Sequence, residues 1–351
     1  MNTRYKKILI LQTAFIGDAV LTLPLVQVLK KHFHDAEIDI VVVPRSAQVF
    51  RNHPSLHSIV EYDKRGKDSG ISGFLRVAKN LKRASYQLAV IPHRSIRSSL
   101  LAKMAGIATR VGFDRSSGRI FLTNIVRYRN GLHEIDRNIS LLEGLGVKNE
   151  RRELPAIYPS RDDSKQVEKL LSAHGFGRNQ KLIALAPGTI WNTKRWMVER
   201  FADLAKQLVA NGFRVVLIGG PEDKSLCDKL VTSVKSNNIL NTAGELSLLQ
   251  SAELLSRCRV LVSNDSAPMH IAVAMRTPVV AIFGATVPSF GFAPYGEHDV
   301  VVETTGLSCR PCSIHGGEKC PIGTFDCMNN ITADRVEGEV RKLLKAYKAV
   351  H

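Results

Sequence analysis

The sequence predicts an α/β protein of two doubly wound domains, each a parallel sheet with helices on both faces. Three observations predict it. From residue 7 onward, short apolar runs alternate with amphipathic helical stretches. The alternation pauses once, at Leu154-Pro-Ala-Ile-Tyr-Pro159, where two prolines mark an extended linker, and then resumes. Most of the apolar runs in the second half end in polar, Gly-containing turns, the place where open α/β sheets take their ligands.

In chain order, Lys7–Leu11 reads as the first strand and Asp18–Phe33 as a helix, with Pro24 early enough to be tolerated or to kink it. Strands follow at Ile38–Val43 and Ser58–Tyr62, then an amphipathic helix at Gly70–Ala84. Gln87–Ile91 and Thr109–Phe113 are strands, Ser95–Met104 a helix, and Leu132–Leu145 a helix stopped by Gly146. Beyond the linker come a helix at Asp162–His174, a strand at Leu182–Ala186 and a helix at Arg195–Ala210 closed by Asn211-Gly212. Phe213–Ile218 is a strand, and Glu222–Val234 and Leu248–Cys258 are helices. Arg259–Ser263 and Thr277–Phe283 are strands, and an amphipathic helix over Thr332–Ala349 ends the pattern. No internal repeat is visible.

Composition narrows the function. A hydrophobic share of 44% and a charged share of 23% are those of a soluble globular protein, and no apolar run has the length of a membrane span. The basic N-terminus before Ile8 is a little like a secretion signal, but Gln12, Thr13 and Asp18 break the apolar run, so a cytoplasmic protein is expected. The net charge is +17, and residues 1–160 carry 26 Lys and Arg against 13 Asp and Glu. An anionic partner is therefore expected of the first half: nucleic acid, a membrane surface or a phosphorylated substrate. No helix-turn-helix, ribonucleoprotein signature or basic–aromatic stacking motif supports nucleic acid. Strand one lacks a G-x-G-x-x-G turn and strand two ends in Pro44-Arg45 without a ribose-binding acid, which argues against a nicotinamide dehydrogenase.

In the second half four polar turns follow strands: Pro187-Gly-Thr-Ile-Trp-Asn-Thr-Lys-Arg-Trp196, Gly219-Gly-Pro-Glu-Asp223, Asn264-Asp-Ser266 and Gly284-Ala-Thr286. Their convergence is what a nucleotide needs: close backbone approach, N–H donors, Lys194 for phosphate and Glu222 or Asp223 for ribose. After Asp265-Ser266 a helix begins at Ala267-Pro268, and its free N–H groups suit a phosphate. In the first half, Asp18 follows Gly17 at a helix start; it is either a helix N-cap or a general base at a strand-end crevice. Trp191 and Trp196 are candidates for stacking, Trp196 equally for the core. Cys309, Cys312, Cys320 and Cys327 with His315 have a metal-site look, but the second spacing is loose; free thiols or a redox disulfide are expected, and no metal ligand is assigned.

Ile8-Leu-Ile-Leu-Gln-Thr-Ala-Phe-Ile-Gly-Asp-Ala-Val-Leu-Thr-Leu-Pro24, Ala186–Trp196, Gly219–Asp223 and Ser263-Asn-Asp-Ser-Ala-Pro-Met-His270, in this order, resemble the ADP-heptose:lipopolysaccharide heptosyltransferases of glycosyltransferase family nine, the heptosyltransferase II branch above all. The likeness runs from residue 6 to about 345. It implies a GT-B fold of two Rossmann-like domains facing across a cleft. Residues 1–158 would bind the acceptor, 159–330 the nucleotide sugar, and 331–351 would form a helix packing back on the first domain. It implies inverting transfer of heptose from ADP-heptose with no cofactor or catalytic metal, Asp18 being the base and Lys194 the cation that stabilises the leaving group. Donor contacts are implied for Gly188, Thr189, Lys194, Glu222, Asp265, Ser266, Ala267, Met269 and His270. The acceptor, the anionic lipopolysaccharide core at the cytoplasmic face of the inner membrane, is expected to meet Gly17, Arg45, Arg94 and Arg97. The protein is expected to be a monomer that binds no nucleic acid. Many relatives have Gly where Ala267 stands, which bears on how closely the backbone meets the donor. The alternatives are a GT-B enzyme acting on another nucleotide sugar, a transferase or epimerase, and a basic nucleic-acid-binding protein.

Overall fold

A computed structural model of the chain describes residues 5–148, 151–177 and 180–348. The chain divides into two compact units, Met1–Tyr158 and Pro159–His351. The first contains β1 (Lys7–Gln12), α1 (Ile16–His32), β2 (Glu37–Val42), α2 (Pro44–Ala47), β3 (Ser58–Glu61), α3 (Gly70–Arg83), β4 (Leu88–Ile91), α4 (Ile96–Met104), β5 (Thr109–Phe113), β6 (Asn124–Val126) and α5 (Glu134–Ser140). The second contains α6 (Arg161–Ala173), β7 (Leu182–Ala186), α7 (Val198–Ala210), β8 (Arg214–Leu217), α8 (Lys224–Val234), β9 (Ile239–Asn241), α9 (Leu248–Ser256), β10 (Cys258–Asn264), α10 (Ala267–Ala274), β11 (Val279–Phe283), β12 (Val300–Glu303), α11 (Asp326–Asn329) and α12 (Ala333–Lys348).

Each unit holds one six-stranded sheet, with strand orders β3-β2-β1-β4-β5-β6 and β12-β11-β10-β7-β8-β9. All pairs are parallel. Counted from the start of each unit, the two orders are the same, so the molecule repeats a topology that its sequence does not display. In each sheet the order reverses between two central strands, β1 and β4 or β7 and β10, which opens a crevice at their carboxyl ends. Helices cover both faces, so central strands are buried throughout and read as unbroken apolar runs, as in β7 and β11. One core packs Leu9, Leu11 and Ile91 against Phe74, Val77 and Leu101; another packs Ile183, Val262 and Ile282 against Trp196, Phe201 and Leu204.

The structure departs from the expected elements in places with visible causes. The strands β6, β9 and β12, absent from the sequence reading, are sheet edges of 3, 3 and 4 residues. The expected helix Leu132–Leu145 is α-helical only to Ser140 and tightens to a 3-10 turn over Leu141–Leu145. There Gly144 presses on Val111 and Val126. Helix α7 starts at Val198 rather than Arg195: Arg195 and Met197 are extended, and the buried Trp196 between them donates its N–H to the Asn264 side chain. The last helix sets Val336, Val340 and Leu343 into the second unit's core. Gln207 of α7 and Asn211 just past it also bond to its Asp334 and Glu337. Ala349, the expected end of that helix, lies outside the described residues.

Candidate active site

In the second unit the site is assembled around Asn264, the last residue of β10, which is fully buried. Its Oδ1 accepts the Trp196 N–H at 3.0 Å and its Nδ2 donates to the Pro187 carbonyl at 2.8 Å. Both ends of the turn after β7 are thereby tied to the end of β10. The next residue, Asp265, is buried as well. Its Oδ2 lies 2.6 Å from Lys194 Nζ and accepts the Thr286 hydroxyl at 2.7 Å. Three strand ends, those of β7, β10 and β11, thus meet on one carboxylate. Lys194 and Asp265 each keep less than a sixth of their side-chain exposure, so their attraction acts with little water between them.

Ser266 is the N-cap of α10, but its side chain makes no capping bond; it turns back to the Asn264 carbonyl. Pro268 in the first turn has no N–H, and the Met269 N–H is bonded to the Ser266 carbonyl at 3.2 Å. Met269 and His270 are buried in the helix, so what they offer a ligand is main chain. Gly188 and Gly219 are both required by Asp223: a Cβ on Gly188 would stand 2.0 Å from its Oδ1, and one on Gly219 would stand 2.7 Å from its Cβ. Asp223 also accepts the Gly220 N–H at 3.0 Å. Burial raises its carboxyl pKa, with the Gly220 bond opposing. Of the two acids in this turn, Asp223 accepts a bond within its own turn and packs close to Gly188, and Glu222 stands exposed. Arg195 ties Thr189 through its carbonyl at 2.8 Å. Trp196 is core, its Nε1 donating to Ile331 and its ring set edge-on to Phe201.

A contribution that spacing did not foretell comes from the Cys-rich loop. Thr193 and Gly317 exchange two hydrogen bonds, at 2.9 and 2.8 Å, and Asn192 donates to the Glu318 carbonyl at 3.2 Å. Gly316, at φ +88°, lies so close that a Cβ there would be 2.9 Å from Lys194 Cγ and Cδ. The loop is a buttress for the Lys194 stem. All six cysteines are free thiols, and among the described residues no three His, Cys, Asp or Glu side chains converge as metal ligands.

In the first unit Asp18 is the third residue of α1; the N-cap is Phe15, so the capping alternative falls. Gly17 precedes it. The Asp18 carbonyl accepts from Thr22 at 2.8 Å, and Thr22 accepts from Gln12 at 2.8 Å, which ties the helix start to the end of β1. At the same strand end Thr13 bonds His93 Nδ1 at 2.9 Å, and its carbonyl accepts Lys64 Nζ at 2.7 Å. Burial, with Lys64 and Arg94 adding, lowers the His93 pKa to about 4, so the ring is neutral at pH 7.

Near Asp18 sits Glu134, paired with the buried Arg137. Burial pushes the Glu134 carboxyl up to about 7, and the negative charge of Asp18 adds to the rise. Arg137 lies 4.5 Å from the centre of the Tyr128 ring, as does Arg94. Arg94 is therefore brought to this group. Arg97 instead bonds the Gly70 carbonyl at 3.1 Å and lies over Tyr62 and Phe74, so it ties α4 to α3. Arg45 stands exposed on α2. His93 and Glu134 were not singled out in the sequence, because each gains its meaning only from strand order.

The family described as Glycosyltransferase family 9 (heptosyltransferase) matches residues 74–319. Lipopolysaccharide heptosyltransferase 2 of Salmonella typhimurium is 28% identical over 348 residues, covering 96% of this chain and 98% of the relative. A crystal structure of a family 9 glycosyl transferase from Veillonella parvula superposes with a TM-score of 0.87 at 28% identity, covering 99% of each chain. The E. coli ADP-heptose LPS heptosyltransferase II has the same fold, with a TM-score of 0.81 at 23% identity over 97% of this chain and 99% of that one.

Proposed function

The chain belongs to glycosyltransferase family 9, and from that premise we propose that it moves a heptose from ADP-heptose to the inner core of lipopolysaccharide. The observation that carries the reading is the buried meeting of Lys194, Asp265 and Thr286 at the switch point of the second sheet. A cation held at a carboxylate beside an uncapped helix N-terminus is a site prepared for a diphosphate and a sugar together.

In this reading Lys194 and the first-turn amides of α10 take the diphosphate, with Thr189 and Gly188 alongside, and Glu222 holds the ribose. Asp265 exchanges its bond to Lys194 for the heptose hydroxyls, while Ala267, Met269 and His270 contribute main chain. Asp18 removes the proton from the acceptor hydroxyl, whose oxygen attacks the anomeric carbon. The carbon–oxygen bond to ADP breaks with inversion, and Lys194 stabilises the departing charge. No second nucleophilic carboxylate is needed, and the chain's own cation does the work a metal ion does elsewhere. The acceptor is anionic and belongs to a membrane surface; Arg94, with Gly17 and Arg45, is proposed to meet it. The enzyme then works as a monomer at the cytoplasmic face, residues 1–158 serving the acceptor and 159–330 the donor.

The test is to incubate the protein with ADP-heptose and defined truncated cores and to weigh the products. One added heptose is expected on one core, and no added mass on any core refutes the proposal. With that core in hand, Asp18→Ala is expected to abolish transfer while ADP binding by calorimetry stays close to wild type. Turnover at the wild-type rate in this variant removes Asp18 as the base.

A further inference from the structure

We propose that the outer face formed by α3, α4 and the turn at residues 119–121 is the surface by which this protein docks on an anionic lipid bilayer. The proposal goes beyond the transfer reaction and stands whichever sugar is moved.

Charge is the first observation. Between Asp68 and Asp114 the chain has eight Lys and Arg and no carboxylate. Asp68 itself is buried and consumed by Arg76 at 2.8 Å and by the Asp63 N–H. Among the described residues Lys79, Lys82, Lys103 and Arg119 have no ion-pair partner.

Apolar exposure in the same place is the second. Helix α3 buries Phe74, Val77, Ala78 and Leu81 on its inner side. On its outer side, Ile71, Leu75, Lys79 and Lys82 follow one another at helical spacing, and all are exposed. Ile71 keeps 79% of its surface in solvent and Ile120, in the 119–121 turn, keeps 82%. Met104 at the end of α4 is exposed too. These elements are neighbours: Arg97 of α4 bonds to the Gly70 carbonyl at 3.1 Å, the Lys82 stem lies against Gly106 just past α4, and Lys103 Nζ lies 5.1 Å from the Phe121 ring centre.

Water gives the exposed apolar side chains no stabilisation, and a phosphate backbone would use the cations and leave the isoleucines idle. An anionic bilayer uses both. Its surface potential attracts the lysines, and its interface takes up Ile71, Leu75 and Ile120. Two weak signals of this kind are what reversible surface binding requires, and among the described residues no helix is long and apolar enough to cross a membrane.

The experiment sediments the full chain with vesicles of phosphatidylethanolamine and phosphatidylglycerol, or of phosphatidylcholine alone. Binding to the anionic vesicles only, weakened by added salt, is expected. Two independent variant sets, Lys79→Glu/Lys82→Glu/Lys103→Glu and Ile71→Ser/Leu75→Ser/Ile120→Ser, should each weaken that binding by about tenfold or more at an unchanged melting temperature. Ile120→Ser alone is the fallback should the triple serine variant melt early, with a smaller loss expected. No binding by wild type, equal binding to both vesicle types, or wild-type binding by either set overturns the proposal. So does tight duplex-DNA binding that the serine set leaves intact while vesicle binding is absent, which would make the face a nucleic-acid surface.

Discussion

Lys194 and Asp265 face each other at 2.6 Å in a setting poor in water, so each depends on the other. Lys194→Met would leave a buried carboxylate with only Thr286 as partner, at an expected cost of about 3–5 kcal/mol. Adding Asp265→Asn should recover a good part of that loss, because no isolated charge then remains, while transfer stays absent in Lys194→Met, in Asp265→Asn and in the double variant. Urea unfolding measures the cycle; strictly additive losses would show that the two side chains do not act as a pair. The residue scale is also where sequence reading was most uneven. Asp18, Lys194 and Asp265 stood out because each follows a strand. That Asp223 packs closely against Gly188 and Gly219 and bonds Gly220 while Glu222 stays exposed depends on a fit of about one carbon atom, which spacing does not encode. Glu134 likewise owes its raised pKa to burial beside Asp18, more than a hundred residues away in the chain.

At the scale of elements, central strands were legible because helices on both faces demand continuous apolar runs, and β7 falls where the residues place it. Edge strands such as β6 and β9 are too short to show a period. The late start of α7 was not legible, since the extended segment before it is held by Asn264, 68 residues further on. The Cys-rich loop belongs to this scale as well. Gly316→Ala would both strain a left-handed backbone and push on the Lys194 stem. Gly323, at φ +78° with open space beside it, carries the strain alone. Gly316→Ala is therefore expected to raise the donor KM by about tenfold, with Gly323→Ala near wild type. Equal effects in both would reduce the buttress to a matter of backbone strain.

For the molecule as a whole, the two sheets share one strand order, and each carries its polar cluster at the same topological address. The second unit has its own core, the last helix included, and all of the Lys194–Asp265–Thr286 group. Residues 159–351 expressed alone should fold cooperatively and bind ADP within about threefold of the full chain, as read by calorimetry. A fragment that stays unfolded would show that this core is not self-sufficient. The acid-poor stretch has a further, practical consequence. No glutamate occurs between Glu61 and Glu134, so a glutamate-specific protease releases α3, β4, α4, β5 and β6 as a single long peptide, whereas trypsin cuts the same stretch into small fragments. Digesting with trypsin before and after the protein meets its surroundings, and weighing what survives, turns a run of missing carboxylates into a map of which lysines are covered.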